Sequence, residues 1–204
     1  MSQCAEEMFL RDIATHEMTI LRDDSVNRHV QFKRPGTRCC QFDLITWPGY
    51  LCYCGDMGTY VFSRLNDMFE FFRTDRRDKD NPEKLFINLG YWAEKIQATD
   101  RSNGHEEFSQ DKFRRVIEGY LEDASDDLRQ AVQNEVLSRI YDGEHAAFQA
   151  AHDFEHGDFY FSDFWDHSFR ECTYRFIWCC YAIAYGVREY DKATAIRQPI
   201  GERV

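Results

Sequence analysis

Two histidines and a glutamate in the second half of the chain have the spacing of a zinc-peptidase motif. His152, Glu155 and His156 match the H-x-x-E-H pattern, in which the histidines bind zinc and the glutamate acts as a general base. On a helix, both histidines point away from the alanine-rich apolar stripe of the same segment, so they face solvent. His145 lies about 10 Å along the helix axis from His152, too far to complete the site. We therefore expect no metal or other cofactor, and keep a metal-dependent hydrolase as an alternative function.

The eight cysteines are the other residues that could do chemistry. In a reducing compartment they are expected to be free thiols or metal ligands and not a disulfide framework. Cys52 and Cys54 share one face of a predicted strand, about 6.6 Å apart, without the tight loop that structural zinc sites use. A two-residue turn places Asp43 opposite Cys54, and it leaves Cys39 and Cys40 opposite the following turn. We interpret these thiols as small apolar residues that fill the sheet, with a metal or redox site as the alternative.

An acid-rich segment near residue 160, GDFYFSDFWDH, alternates aspartates with aromatic residues. Its carboxylates and histidine could bind magnesium, as in a nuclease site. Phe161, Phe164, Trp165 and Phe169 are spaced for one face of a helix, and this pattern favours a docking or core stripe. No phosphate-binding loop, nucleophile elbow or kinase motif accompanies them. The chain is therefore not expected to be an enzyme.

Basic side chains of the N-terminal part could together bind an anion. Residues 1–65 hold 7 Lys+Arg and 8 Asp+Glu, so no net positive field remains and direct nucleic-acid binding is not expected. A binder of a small signalling nucleotide is kept as a second alternative. The side chains that would form its site are Arg22, Arg28, His29, Lys33, Arg34 and Arg38.

An N-terminal sheet must position the thiols and the arginines. EMTILRDD and NRHVQFKRP alternate apolar and polar residues around a polar turn, which predicts a hairpin. CCQFDLITW, YLCYCG and TYVFSR follow, separated by turns at Pro48-Gly49 and Asp56-Met57. About five antiparallel strands are predicted over 17–64. Their buried face is expected to carry Phe42, Leu44, Leu51, Tyr53, Tyr60 and Phe62.

Helical signals dominate from residue 65 to residue 191. About six helices are predicted there, and the last is apolar nearly all round, which is typical of a helix at the centre of a fold. Phe113, Ile117 and Leu121 have helical spacing and predict one buried face. The other predicted helices run from the Asn81-Pro82-Glu83 cap to Thr99, from the Ser125 cap to Asp142, from Glu144 to His156 and from Phe161 to Tyr190.

Strands first and helices afterwards predict an α+β fold with helices on one side of an antiparallel sheet. One domain is predicted over 1–204, with a loosely ordered tail over 192–204. The apolar run from Ile177 to Val187 has eleven residues, fewer than the roughly 20 that span a bilayer. The N-terminal sequence is acidic where a secretory signal would be basic, so the chain is expected in the cytoplasm and away from membranes.

The net charge of −11 is concentrated in one segment. Residues 100–166 hold 17 Asp+Glu against 6 Lys+Arg, whereas the rest of the chain holds 19 of each sign. Such a segment repels nucleic acid and suits a basic protein partner, although a solvated surface that confers solubility is the common alternative.

Three segments of the sequence resemble a family of phage- and prophage-encoded accessory proteins. They are MTILRDDSVNRHVQFKRPGT, CCQFDLITWPGYLCYCGDMGTYVFSRLNDMFEFFR and FRECTYRFIWCCYAIAYGVREYD, which together cover part of the sheet and the last helix. The resemblance brings no catalytic residues to this chain. It implies a small protein of the bacterial cytoplasm that binds host machinery, with inhibitors of bacterial defence such as anti-CRISPR proteins as the analogy.

The leading prediction is a non-enzymatic phage protein that blocks a host protein complex, for example one that binds nucleic acid, through an acidic helical surface. Charge on this surface would steer association with a basic channel, and binding would weaken with salt. The acid density is below that of a full DNA mimic, so a mixed interface is expected. The predicted partner-binding residues are Glu106, Glu107, Asp111, Glu122, Asp123, Asp126 and Asp127.

Overall fold

The computed structural model of the chain describes residues 4–74, 84–102 and 104–197. Contacts among these residues divide the chain into two compact units, which we call the sheet unit (1–105 and 172–204) and the helical unit (106–171). Each unit has its own hydrophobic core. The prediction of a single domain over 1–204 extends beyond the described residues and stays a prediction.

The sheet unit is built on a six-stranded antiparallel sheet in which each strand pairs with the next in sequence. The predicted α+β class is confirmed, with the sheet at the N-terminal side of most helices. All five predicted strands are present, and a sixth joins the edge. The strands are β1 (Glu17–Asp24), β2 (Asn27–Lys33), β3 (Phe42–Trp47), β4 (Tyr50–Gly55), β5 (Gly58–Ser63) and β6 (Ile96–Thr99).

Turn chemistry sets the register of the central hairpins. Gly49 has φ 86°, a left-handed conformation that glycine adopts without strain, and it closes the β3–β4 turn. Asp43 consequently pairs with Cys54, as the two-residue turn predicts. All six predicted inward side chains of β3, β4 and β5 have 0% exposure, so the predicted core face is confirmed.

Helices cover the inner face of this sheet. The last helix, α7 (Tyr174–Arg197), is buried along its central part, as the all-round apolar pattern predicts. Its predicted start at Phe161 is wrong, because the side chain of Thr173 accepts a hydrogen bond from the Phe176 amide and caps the helix there. The helix also continues through the first part of the predicted tail, while 198–204 lie outside the described residues. Two further helices in this unit are α1 (Glu6–Asp12) and α2 (Met68–Thr74).

The helix predicted up to Thr99 is also wrong. The described part of that segment forms a short helix, α3 (Leu89–Ala93), followed by strand β6. Phe62 pairs with Ile96, so the otherwise free edge of β5 captures the segment as a strand, and pairing overrides its helical signal. The predicted cap at Asn81 lies outside the described residues.

Helices connected by short turns form the helical unit. Phe113 and Ile117 are fully buried, so the predicted apolar face of α4 is confirmed. Ser125 caps the next helix through a hydrogen bond from the Leu128 amide, as predicted, but this helix ends at Glu135 and a 3-10 helix covers the rest of the predicted span to Asp142. The elements are β7 (Glu106–Phe108), α4 (Gln110–Tyr120), α5 (Asp126–Glu135), a 3-10 helix (Leu137–Asp142), α6 (Glu144–Asp153), a second 3-10 helix (Phe164–Asp166) and β8 (Arg170–Cys172).

Across 4–74, 84–102 and 104–197, no helix combines the length and the apolar character needed to cross a membrane.

Candidate partner-binding site

The net charge of the whole chain is located in the helical unit. Residues 106–171 carry 17 acidic and 6 basic side chains, a net charge of −11, and the remainder of the chain is balanced. The boundary of the acidic segment found in the sequence therefore coincides closely with a structural boundary. The charge belongs to one folded unit and not to an extended tail.

Four of the predicted acids surround the N-terminus of α5. Glu122 and Asp123 precede its cap residue, and Asp126 and Asp127 occupy its first turn; all four are exposed. Carboxylates in this place stabilise a helix, because its first turn carries the positive end of the helix dipole. The cluster therefore combines a local stabilising role with a dense negative surface.

The other three predicted acids lie at the opposite end of α4. Glu106 and Glu107 belong to β7, and Asp111 lies in the first turn of α4. The eleven residues of α4 span about 16 Å along the axis. The predicted acidic surface is thus divided into two patches, one at each end of this helix.

A groove in the helical unit adds an aromatic surface that the list of acids lacks. Its volume is about 620 Å³, and Trp165 lies in its wall with 58% of its surface exposed. The Trp165 ring stacks on Phe148 with ring centroids 5.4 Å apart. The groove is lined by Glu144, His145, Phe148, Gln149, His152 and Trp165.

The aromatic stripe predicted around residue 165 is divided between core and surface. Phe161, Phe164 and Phe169 are buried in the core of the helical unit, whereas Trp165 is exposed. The predicted helix is absent there, because a single 3-10 turn carries Phe164 inward and Trp165 outward. One aromatic residue of the stripe is therefore presented to a partner, and the others support it.

Hydrogen bonds hold the polar side chains that line the groove in place. Arg170 donates to both carboxylate oxygens of Glu144, at 3.0 and 2.9 Å, so this acid is already paired. Gln149 donates to Asp153 at 2.6 Å, and His152 lies 2.9 Å from the same carboxylate. These hydrogen bonds, Gln149 first and His152 second, hold the pKa of Asp153 below its usual range. Asp153 therefore stays negative at neutral pH at the edge of the groove.

The histidine motif does not form a compact ligand set. The predicted helix from Glu144 to His156 is too long, because α6 ends at Asp153, between the two histidines. His156 instead lies in the following turn and contacts Asp127 at 3.0 Å. Within the described parts of the chain, His152, Glu155 and His156 do not gather as three metal ligands. This geometry does not favour the hydrolase alternative.

The segment from His152 to His156 nevertheless connects two features of the surface. His152 lines the aromatic groove, and His156 contacts the acidic cluster at the α5 N-terminus through Asp127. The aromatic anchor and four of the seven predicted acids are therefore neighbours within one unit.

Two of the basic residues predicted to bind an anion, Arg28 and His29, lie on opposite faces of the sheet. Arg28 is 9% exposed and donates to both carboxylate oxygens of Asp67, at 2.8 and 3.0 Å. Its guanidinium also donates to the Tyr190 hydroxyl. His29, the next residue, lies on the other face of the sheet beside Asp43. Arg28 therefore has a structural role. It is not free to bind the anion of a nucleotide, as the second alternative function requires.

The paired carboxylate keeps its charge in spite of burial. Burial by itself would raise the pKa of Asp67, but hydrogen bonds and charge from Arg28 outweigh it and hold that pKa below its usual range. The Arg28–Asp67 pair was not recognised in the sequence, where the two residues are 39 positions apart. No local pattern marks such a contact.

The cysteines occupy two kinds of position. Cys179 and Cys180 are fully buried in α7 and belong to the core of the sheet unit. Cys52 and Cys54 lie half-buried on the outer face of the sheet, so they do not fill the core side. A hydrogen bond from Cys54 lowers the pKa of the Cys52 thiol.

Sequence patterns do not reveal most of the groove wall. Glu144, Phe148 and His152 follow each other at intervals of four residues along α6, and such residues share one helix face. This spacing is a signal that could have indicated a continuous surface. Its pairing with Trp165, which lies after the next turns, is a tertiary contact that periodicity does not reveal.

Comparisons of this chain with protein families, with curated proteins and with solved structures find no match.

Proposed function

We propose that this chain is a non-enzymatic protein-binding factor whose helical unit engages a basic surface of a protein partner. One observation carries the proposal. The helical unit holds the entire net charge of the chain, and the same unit exposes an aromatic groove. Charge alone would serve solubility equally well. An exposed tryptophan beside the charge favours a binding surface.

The two features supply different parts of the binding free energy. Tryptophan is enriched among the residues that dominate protein interfaces, because one ring buries a large area at a small entropic cost. Trp165 is already packed against Phe148, so its orientation is fixed before binding. The acids near the α5 N-terminus would lie at the rim, where charges mainly accelerate and orient the encounter. A partner with a basic rim around an apolar pocket fits both.

The resemblance to phage accessory proteins supplies the biological setting of the proposal. In that setting the partner is a host complex, and a bacterial defence effector that binds nucleic acid has the basic channel that the acids would meet. Binding would occlude this channel and inhibit the effector without chemistry. Asp126 and Asp127, with Glu122 and Asp123, would lie at the rim of the interface and face the basic edge of the channel.

The experiment is a capture of partners from host lysate by the tagged full-length protein, followed by mass spectrometry. Three baits are compared: the wild type, Trp165→Ala and Trp47→Ala. Trp47 is the matched control, because it is a partly exposed tryptophan of the sheet unit that stacks on Tyr50. We expect one protein complex that the wild type and Trp47→Ala retain and that Trp165→Ala loses at least about tenfold. Equal recovery by all three baits would contradict the proposed groove.

A further inference from the structure

Two adjacent cysteines of the sheet unit point the same way, which neighbouring side chains of extended backbone do not do. Cys39 and Cys40 form the turn between β2 and β3, and their sulfur atoms are 3.8 Å apart. Cys40 has φ 54°, in the left-handed region that residues other than glycine seldom adopt. This backbone conformation is what brings the two thiols together. Cys39 is exposed and Cys40 is half-buried.

A carboxylate completes the cluster. Asp56 lies in the β4–β5 turn, and one possible ligand atom from each of Cys39, Cys40 and Asp56 lies within 4.8 Å of the other two. The Asp56 carboxylate accepts a hydrogen bond from the Cys40 amide at 2.9 Å, so the backbone that carries the thiols also orients the carboxylate. Outer hydrogen bonds of this kind are typical of metal ligands.

The turn is held in place by contacts on several sides. The ring of His16 lies 3.1 Å from the Cys40 carbonyl oxygen. The Asp56 amide donates to the Gln41 carbonyl, at 3.0 Å, and Arg175 donates to the Asp56 carbonyl. The strained conformation of Cys40 is thus determined by its surroundings, and the thiols are positioned before any ligand binds.

The sulfur separation fits a tetrahedral metal ion. With zinc–sulfur bonds of about 2.3 Å and tetrahedral angles, two sulfurs on one zinc lie about 3.8 Å apart. The observed distance is 3.8 Å. We propose that Cys39, Cys40 and Asp56 bind a thiophilic divalent cation of the zinc class through two thiolates and one carboxylate oxygen. A water molecule would take the fourth position, because the site is open to solvent on the Cys39 side.

Binding is a simple exchange of protons for the metal. Each cysteine thiol releases its proton to solvent as its sulfur binds, and Asp56 binds through one carboxylate oxygen. No oxidant or other reactant is required. The site lies in the sheet unit, so it is independent of the proposed acidic binding surface.

Cadmium is the probe of choice, because cadmium thiolates absorb in the ultraviolet and zinc competes for the same ligands. The full-length protein, without a histidine tag and under a phosphine reductant, is titrated with Cd²⁺. The matched control is Cys52→Ser combined with Cys54→Ser, which removes a second pair of thiols, both half-buried, from the same unit. We expect saturation at one Cd²⁺ per chain, reversed by Zn²⁺, in both the wild type and this control.

Three variants decide the outcome. Cys39→Ser and Cys40→Ser should each abolish the saturable absorbance. Asp56→Asn keeps an acceptor for the Cys40 amide and should weaken binding at least about tenfold. Cadmium binding that survives Cys39→Ser combined with Cys40→Ser, or that is lost in the control instead, would overturn the proposal. The absence of saturable binding by the wild type would overturn it as well.

Discussion

At the scale of single residues, Arg28 connects several elements of the sheet unit. Its guanidinium binds Asp67 in a bidentate pair and lies over the Phe69 ring, 5.0 Å from the centroid. Tyr190 donates to Asp23 and accepts from Arg28, so β1, β2, α2 and α7 meet at this point. A half-buried pair of this kind specifies one arrangement of these elements, since any other would leave a charge without its partner.

Asp67→Asn should destabilise the protein at neutral pH by about 3 kcal/mol, at the low end for buried pairs because Asp67 is partly exposed. The pKa of Asp67 is lowered in the folded state, so its contribution is complete above the ordinary carboxylate pKa of about 4 and is lost as the pH falls through the folded value. The difference between the two proteins should therefore shrink in acid. Urea unfolding at several pH values measures it.

Asp24→Asn is the control for this experiment. Asp24 forms an exposed ion pair with Arg22, and both side chains are more than half exposed. Such pairs contribute about 0.5 kcal/mol or less. If Asp67→Asn costs no more than Asp24→Asn at neutral pH, the Arg28–Asp67 pair has no special role.

At the scale of elements, the β3–β4 hairpin depends on a close backbone approach. Gly55 pairs with Phe42, and a Cβ atom at Gly55 would lie 2.3 Å from the Gln41 carbonyl oxygen. Backbone cannot move aside as a flexible side chain can. Gly55→Ala should therefore lower the free energy of unfolding by about 2 kcal/mol or more, measured by chemical denaturation.

Gly119→Ala is expected to change the free energy of unfolding in the opposite direction. Gly119 lies in α4, and a Cβ atom there would meet no atom within 4 Å. Alanine at an open helical position should stabilise by about 0.5–1 kcal/mol. Equal effects of the two substitutions would show that the close contact at Gly55 is not the cause of the loss.

Local patterns predicted some elements well and others poorly, for physical reasons. The hairpins through Gly49 were predictable because a two-residue turn and period-two alternation specify one register. Strand β6 was not predictable from local patterns, because its segment has helical signals and forms a strand only by pairing with the edge of β5. The acidic residues were visible in composition, whereas the groove at Trp165 and the cluster at Cys39 depend on contacts between distant segments.

At the scale of the whole molecule, the net negative charge lies in the helical unit, whereas acidic and basic residues are equal in number in the sheet unit. This distribution predicts how partner binding responds to salt. Screening shortens the range of the acidic surface from about 30 Å at 0.01 M to about 8 Å at 0.15 M ionic strength. We expect the association rate with the captured partner to fall at least tenfold over this range, while dissociation changes little. Surface plasmon resonance at increasing salt measures both rates. An association rate that is independent of salt would contradict a role for the charge.

The central claim is that the acids of the helical unit bind the partner, and a charge-reversal titration tests it most directly. The test variant carries lysine at Glu122, Asp123, Asp126 and Asp127. A second variant carries the corresponding amides there, which keeps the side-chain size and much of the helix cap. The control carries lysine at four exposed acids of the sheet unit, namely Glu7, Glu17, Asp24 and Glu94, so it changes the net charge by the same amount.

Calorimetric titration of the captured partner compares these proteins after circular dichroism has shown that each is folded. We predict that the lysine variant loses at least about a hundredfold in affinity, that the amide variant loses about tenfold, and that the control binds within about threefold of the wild type. Wild-type affinity in the lysine variant, or an equal loss in the control, would contradict the account.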